Sequence, residues 1–168
     1  MGYYDDIAEG YHELYHEEQL KKLNKIKSML AKYCISINPS TTLLDVGCGI
    51  GISTDFWGCD ATGIDPAVKL IDINKDSKSK FVQASAEKIP FPDKSFDIVT
   101  SITAIHNFDD VEKGLEEIAR VGKDFFIFSV LKKSEKLEMI KDLIRKYFKV
   151  IGEEQEDKDL IFFAKHKL

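Results

Sequence analysis

The chain has 168 residues, 43% of them hydrophobic, and a formal net charge of −5. That is enough chain to bury a core and reads as a single domain over 1–168, while no apolar run reaches the roughly 20 residues of a membrane span. The acidic balance argues against a duplex nucleic-acid partner, whose binding depends on neutralising phosphates.

In chain order, the first twenty residues hold Asp5, Asp6, Glu9, Glu13, Glu17 and Glu18 and no Lys or Arg. They lack the basic-then-apolar pattern of a secretory signal. From about Ala8 to Cys34 the pattern is helical, because Leu20, Leu23, Ile26, Leu30 and Tyr33 recur at three- and four-residue spacings and form one apolar stripe. Asn38-Pro39-Ser40 then breaks the chain. This divides an N-terminal lid or helix over residues 1–36 from a core over 41–168. His12-Glu13-Leu14-Tyr15-His16 matches the His-Glu-x-x-His zinc pattern, whose two histidines share a helix face with the acid as general base. No convincing third ligand follows, and so short a pattern arises by chance, so no metal site is assigned. The cysteines, Cys34, Cys48 and Cys59, form no close metal-type pair and fit a reduced, cytoplasmic protein.

Thr42-Leu43-Leu44-Asp45-Val46 is an apolar run that opens into glycines at 47, 49 and 51. It reads as a buried parallel strand entering a loop that a ligand approaches closely, since a side chain at Gly47 or Gly49 would fill the ligand's space. A dinucleotide fingerprint needs Gly-x-Gly-x-x-Gly. Here the spacing is Gly-x-Gly-x-Gly, and Asp45 would set a negative charge against a pyrophosphate. The same acid suits a phosphate-free ligand carrying ammonium and sulfonium cations. Cys48, inside the loop, reads as a small space-filler.

Ala61 to Asp65 reads as a second strand ending in an acid, whose carboxylate can accept from both hydroxyls of a ribose. Only about fourteen residues separate Gly51 from Asp65, so the helix between them must be clipped. Lys80 to Glu87 reads as a third strand, and a Pro-rich turn from Ile89 leads into a fourth through Phe96 to Val99. Asp109 or Asp110 caps a helix near Val111 to Val121. Phe125 to Val130 is a continuous apolar run suited to a central strand. Leu137, Ile140, Ile144 and Phe148 stripe a further helix. The basic residues from Lys132 to Lys149 are either its solvated face or a docking patch for an acidic partner or RNA. Lys149 to Glu154 and Leu160 to Ala164 are joined so closely that they must run antiparallel. Alternating strands and helices imply a mostly parallel, seven-stranded α/β sheet with one reversed strand.

The segments at 42–51, 61–66 and 80–99 occur in order with Ile105-His106-Asn107-Phe108 and the entry segment Tyr4-Asp5-Asp6-Ile7-Ala8-Glu9-Gly10-Tyr11. Together they resemble the class I, Rossmann-like S-adenosylmethionine (AdoMet)-dependent methyltransferases, within them the type 11 group related to the ubiquinone/menaquinone methylases. The resemblance implies a three-layer Rossmann-like fold, strand order 3-2-1-4-5-7-6 with the last strand antiparallel, and AdoMet as cofactor with S-adenosylhomocysteine as product. No insertion after the fifth strand is long enough for a substrate domain, so the chain reads as a minimal core.

Open α/β sheets bind ligands outside the carboxyl ends of their strands, where Asp45, Gly47, Gly49, Asp65, Ser85, Ala86, Ser101 and Ile102 fall. Gly47 and Gly49 are expected to let the backbone pass the methionine portion. Asp45 is expected to hold its amino group, directly or through water, and Asp65 the ribose. By the resemblance, Ser85 and Ala86 face adenine and Pro66 packs on its ring. Relatives usually place Asp where Ser85 stands. Serine accepts the same bond without charge, and charge-assisted bonds are about twice as strong, so weaker cofactor binding is expected. His106 is either a base or a pocket shaper. Tyr4 and Tyr11 either close over the cofactor or only pack. Thr100-Ser101-Ile102-Thr103 lacks the Asn/Asp-Pro-Pro-aromatic signature of many nucleobase and glutamine N-methyltransferases. The expected acceptor is a small molecule and no membrane is involved. A protein or RNA substrate, a partner subunit, or a non-catalytic AdoMet-binding scaffold role stays open.

Overall fold

In the computed structural model, the structure describes the backbone of residues 2–73 and 76–167, and the side chains from Glu13 onward within those ranges, Ile71 excepted. The side chains of Tyr4, Tyr11 and His12 lie outside the described residues. Seven strands, β1 (Thr42–Val46), β2 (Asp60–Asp65), β3 (Lys80–Gln83), β4 (Phe96–Ile102), β5 (Gly122–Leu131), β6 (Phe148–Gln155) and β7 (Asp159–His166), form one sheet in the order β3-β2-β1-β4-β5-β7-β6. The first five strands pair in parallel, and β7 runs antiparallel to both β5 and β6. This is the order and the reversed strand expected from the sequence.

Alternation along the strands divides the interior into two cores. Leu44, Val99, Phe126, Phe128 and Phe162 point to one face, where they meet Leu115 and Ile118 of α4 (Val111–Val121) and Ile140 and Ile144 of α5 (Leu137–Tyr147). Their sequence neighbours Leu43, Ile98, Ile127, Ile161 and Phe163 point to the other, against Leu23, Ile26 and Leu30 of α1 (Gly2–Met29). A strand buried on both faces must be apolar at successive positions, which is why β5 reads as an unbroken run. At the amino ends of the strands, Thr42 and Asp97 exchange hydrogen bonds. Thr42 N donates to Asp97 Oδ2 at 3.0 Å, and Asp97 N donates to Thr42 Oγ1 at 2.9 Å. This clamp sets β1 against β4 in register.

Boundaries differ from the sequence reading in places with local causes. The first helix ends at Met29, not near Cys34. A 3-10 turn over Ala31–Tyr33 follows, and Cys34 at φ 58° turns the chain away. The third strand stops at Gln83, with Ala84 N bonded to Asp65 O as the chain leaves the sheet. The clipped helix after the Gly loop, α2, is four residues long (Ile52–Asp55), and a short α3 (Val68–Ile73) follows β2. The basic residues after β5 find partners within the fold. Arg145 Nη2 lies 2.9 Å from Glu153 Oε2, Lys146 Nζ lies 2.6 Å from Glu112 Oε1, and Lys136 Nζ donates to the His106 carbonyl at 3.1 Å. Among the described residues no helix is long and apolar enough to cross a membrane.

α4 separates two kinds of stabilisation. Asp110 caps it, its Oδ1 accepting from Lys113 N at 3.0 Å, whereas Leu115 is wholly buried beneath it. Asp110→Ala is expected to cost about 1 kcal/mol and Leu115→Ala about 3 kcal/mol. Urea denaturation of both variants checks the ranking, and equal losses would mean that the cap holds this helix as firmly as the core face does.

Candidate functional site

Strand order reverses between β1 and β4, and open α/β sheets leave a crevice at such a point, outside the carboxyl ends of the strands. A cavity of about 380 Å³ lies there, within the size range of small-ligand pockets. Its walls come from Gly47–Ile50 after β1, Asp65–Pro66 after β2, Ala84–Glu87 after β3, and Ile102–Ala104 with Asn107–Asp109 after β4. Tyr15 and Gln19 of α1 close one side.

The two loop glycines have different tasks. Gly47 has φ 76°, and a Cβ there would stand 2.6 Å from the Ala104 Cβ. Its missing side chain makes room for the segment after β4, and Gly47 is also a residue of the cavity wall. Gly49, at φ 53°, faces open space, with nothing within 4 Å of a Cβ. A side chain there would both strain the backbone and enter the cavity. The loop is held from below: Gly47 N and Cys48 N both donate to Ile64 O, at 2.9 and 3.0 Å.

Asp65 stands at the cavity wall. Its Oδ2 accepts from Gly49 N at 3.1 Å and its Oδ1 from Ala67 N at 2.9 Å. Each carboxylate oxygen has two acceptor sites, so both keep one for a ligand hydroxyl. Pro66, Ser85, Ala86 and Ile102 also line the cavity.

Three expected site residues lie elsewhere. Asp45 is 0% exposed and is not a wall residue. Its Oδ2 accepts from Ser53 Oγ at 2.5 Å and Thr54 Oγ1 at 2.8 Å, and its Oδ1 from Thr100 Oγ1 at 3.1 Å. α2 and β4 enclose the carboxylate, whose hydrogen bonds tie the loop after β1 to both. Burial pushes its carboxyl up, the three hydroxyls offset part of that, and the Asp65 charge adds to it. Ser101 is fully buried and donates to Val46 O at 2.9 Å, pinning β4 to the end of β1. His106 lies in a 3-10 turn (Ile105–Asn107); Asn107 of that turn and the preceding Ala104 line the cavity while His106 does not. Burial lowers its imidazole pKa, the Asp159 charge raises it and Lys136 lowers it again. The expectation of a base at this position finds no wall position in this geometry. Tyr11 lies outside the described side chains, as does His12. Among the described residues no group of three His, Cys, Asp or Glu is gathered for a metal ion. Burial pushes the Cys48 thiol well up, followed in effect by Asp45 and Asp65, which disfavours the thiolate.

Sequence reasoning missed Thr103. It lines the cavity at φ 51°, a left-handed conformation that a β-branched residue adopts only under constraint, at about 1 kcal/mol or more. Three hydroxyl residues within four positions at the end of a central strand, Thr100, Ser101 and Thr103, were the available signal. It also missed Lys22, whose spacing to Leu23 and Ile26 puts it on the buried stripe of α1.

A family model described as a methyltransferase domain matches residues 44–125. An uncharacterized protein of Methanocaldococcus jannaschii is 31% identical over 152 residues, covering 89% of this chain and 58% of its own length. A ubiquinone/menaquinone biosynthesis C-methyltransferase of Rickettsia massiliae is 44% identical over 80 residues, covering 47% of this chain and 32% of that protein. The chain thus spans less than two thirds of the length of these curated relatives. A crystal structure of a Pyrococcus horikoshii protein matches with a TM-score of 0.73 at 21% identity, over 89% of this chain and 92% of that one, a likeness of fold.

Asp45 gives a pH-dependent expectation. Its folded-state pKa is raised, so the stability it contributes is complete below the unfolded value, about 4, and is lost as pH rises through the folded value. Asp45→Asn should therefore gain on the parent protein as pH rises from 4 to 8. Asp45→Ala, which orphans buried hydroxyls, should lose about 3 kcal/mol. Urea midpoints measured across that range check both. Parallel curves for the parent and the Asn variant would mean that burial does not raise this acid.

Proposed function

We propose, for a chain that belongs to the type 11 group of class I methyltransferases, that it transfers a methyl group from AdoMet to a small-molecule acceptor. The observation that carries the reading is the cradle at Gly49: positive φ, no atom within 4 Å of a Cβ, and an amide fixed by the Asp65 carboxylate. Residues of this kind fit the cofactor. Gly47 to Ile50 would pass its methionine portion along the backbone, and Asp65 would accept from ribose hydroxyls with its remaining lone pairs. Pro66, Ser85 and Ala86 would flank the base. When bound, AdoMet supplies a methyl group already activated on a sulfonium.

The chain's own residues then have modest tasks. Asp45 fixes the loop from beneath, through Ser53 and Thr54, so the cradle is preformed and little ordering is lost on binding. Ile102, Ala104 and Phe108 give the wall after β4 an apolar surface that keeps water from the reacting atoms. Tyr15 and Gln19 bring α1 over the same space, and a walled cavity of this volume favours a small acceptor over a macromolecule. No residue is assigned as a base in this reading.

Calorimetric titration with S-adenosylhomocysteine, with NAD as control, tests it. Micromolar binding of the first alone is expected. Gly49→Val should abolish that binding while circular dichroism stays unchanged. A folded protein that ignores S-adenosylhomocysteine at millimolar concentration overturns the reading, and an unaltered binding curve for Gly49→Val overturns the loop's place in it.

A further inference from the structure

Gln19 of α1 combines two properties found together at no other wall residue of the cavity. Its polar side chain is buried, at 6% exposure, and it makes no hydrogen bond among the described residues. A buried amide without a partner is costly. Here it borders the cavity, so a ligand is what its two N–H groups can reach. Position narrows which part of a ligand that is. Three residues on, Lys22 Nζ donates to Thr103 Oγ1 at 2.6 Å, which sets this stretch of α1 beside the end of β4. His16 and Leu20, in the same turn as Gln19, line a separate groove with Ile50, Gly51 and Ile52. The stretch therefore also passes the far end of the glycine loop, where the methionine portion of the cofactor would lie.

Charge narrows it further. The acids of the wall gather on the other side of the switch point: Asp65 follows β2 and Glu87 follows β3. Asp109 stands with them, since the amide of the next residue, Asp110, donates to Glu87 Oε1 at 3.0 Å. Among the described residues no Lys, Arg or His lines the cavity. Lys22, the inward lysine of this part of α1, is committed to Asp159, with Nζ 3.0 Å from Oδ2. Most amides of the glycine loop are committed too, Gly47 and Cys48 to Ile64 O, Gly51 to Cys48 O and Gly49 to Asp65. A methionine portion carries an ammonium, which the acids attract, and a carboxylate, which they repel. For that carboxylate the wall offers no cation. It offers a neutral N–H donor set away from the acids, and a hydrogen bond from such a donor to a charged oxygen is stronger than one to a neutral oxygen.

We propose that Gln19 binds the carboxylate of the cofactor's methionine portion through its amide N–H, so that the negative end of the ligand is held by a neutral donor in place of a cation. The inference rests on the reading of the cavity as an AdoMet site. Gln19→Glu exchanges the donor for an anion at almost unchanged shape, and Gln19→Met removes it without adding charge.

S-adenosylhomocysteine and its decarboxylated analogue, alike except for the carboxylate, are the probes, titrated calorimetrically into the parent protein and both variants. The parent is expected to prefer S-adenosylhomocysteine about tenfold, the scale of one hydrogen bond to a charged group. Gln19→Met should lose that preference while its affinity for the decarboxylated analogue stays unchanged. Gln19→Glu should invert it, because the analogue keeps the ammonium alone, and the Met variant carries the test should the Glu variant fail to fold. An undiminished preference in the Met variant would overturn the proposal. So would an equal loss of affinity for both ligands, the result of a residue that only packs α1 against the cavity. Failure of S-adenosylhomocysteine itself to bind the parent protein would instead remove the cofactor reading on which the proposal stands.

Discussion

An ionisable group with no access to water, the Asp45 carboxyl, is the point on which the site's geometry turns. It accepts from two hydroxyls at the start of α2 and one on β4, so three chain segments meet on one side chain in the interior. The glycine loop runs from Asp45 to those α2 partners and has its two ends fixed before any ligand arrives. With the ends fixed, its middle can only rise over the strand ends, and the Gly49 amide then meets Asp65. That bond carries the constraint into β2, and the bond from Ala67 to the same carboxylate carries it to the start of α3. Buried polar groups are tolerable only when their partners are complete, and all three partners of Asp45 come from sequence neighbours of the crevice.

The other end of the crevice is organised by a second interior charge, of different kind. Lys22 and Asp159 join the first helix to the last strand, and exposed contacts run beside them. Lys158 meets Glu18 at 2.7 Å, and Lys32 and Tyr33 both meet Glu154. Exposed pairs of this sort contribute little individually and are screened by salt. The buried pair is not screened in the same way, so it fixes where α1 crosses the sheet. Tyr15 and Gln19 reach the cavity because Lys22, one to two turns further on, cannot slide.

Much of this was legible in the residues and some was not, for physical reasons. Period-two and period-3.6 patterns report burial, and burial is what the sheet and the α4 and α5 faces consist of. Asp110 announced its helix because a cap is a local chemical event. The glycines announced a close approach, but not which neighbour approached. At Gly47 it is Ala104, 57 residues away, and nothing local encodes that. Asp45 and Ser101 sat at strand ends, as expected of ligand contacts, yet both turn inward, Asp45 to hydroxyls of α2 and β4 and Ser101 to the carbonyl of Val46 on β1. His106 was singled out as the one histidine in the right stretch, while the 3-10 turn that carries it sends its neighbours to the wall instead. The hydroxyl cluster at 100, 101 and 103 marked the segment, but not the left-handed backbone at Thr103, whose partners Ser129 and Asp159 lie far along the chain.

The placement of β7 between β5 and β6 has a consequence for how the molecule is made. β5, carrying Phe125, Phe126, Ile127 and Phe128, is paired on one side by β4 and on the other only by the last strand of the chain. A ribosome delivers β6 first, and β6 has no place in the sheet until β7 exists to stand between them. During that interval a long aromatic edge stands open, the kind of surface that pairs with other chains. The Lys22–Asp159 contact waits for the same event, since its two halves lie 137 residues apart. Closure of the edge and pairing of Lys22 with Asp159 both require β7, so chains stalled or cut short before it are the ones most exposed to aggregation.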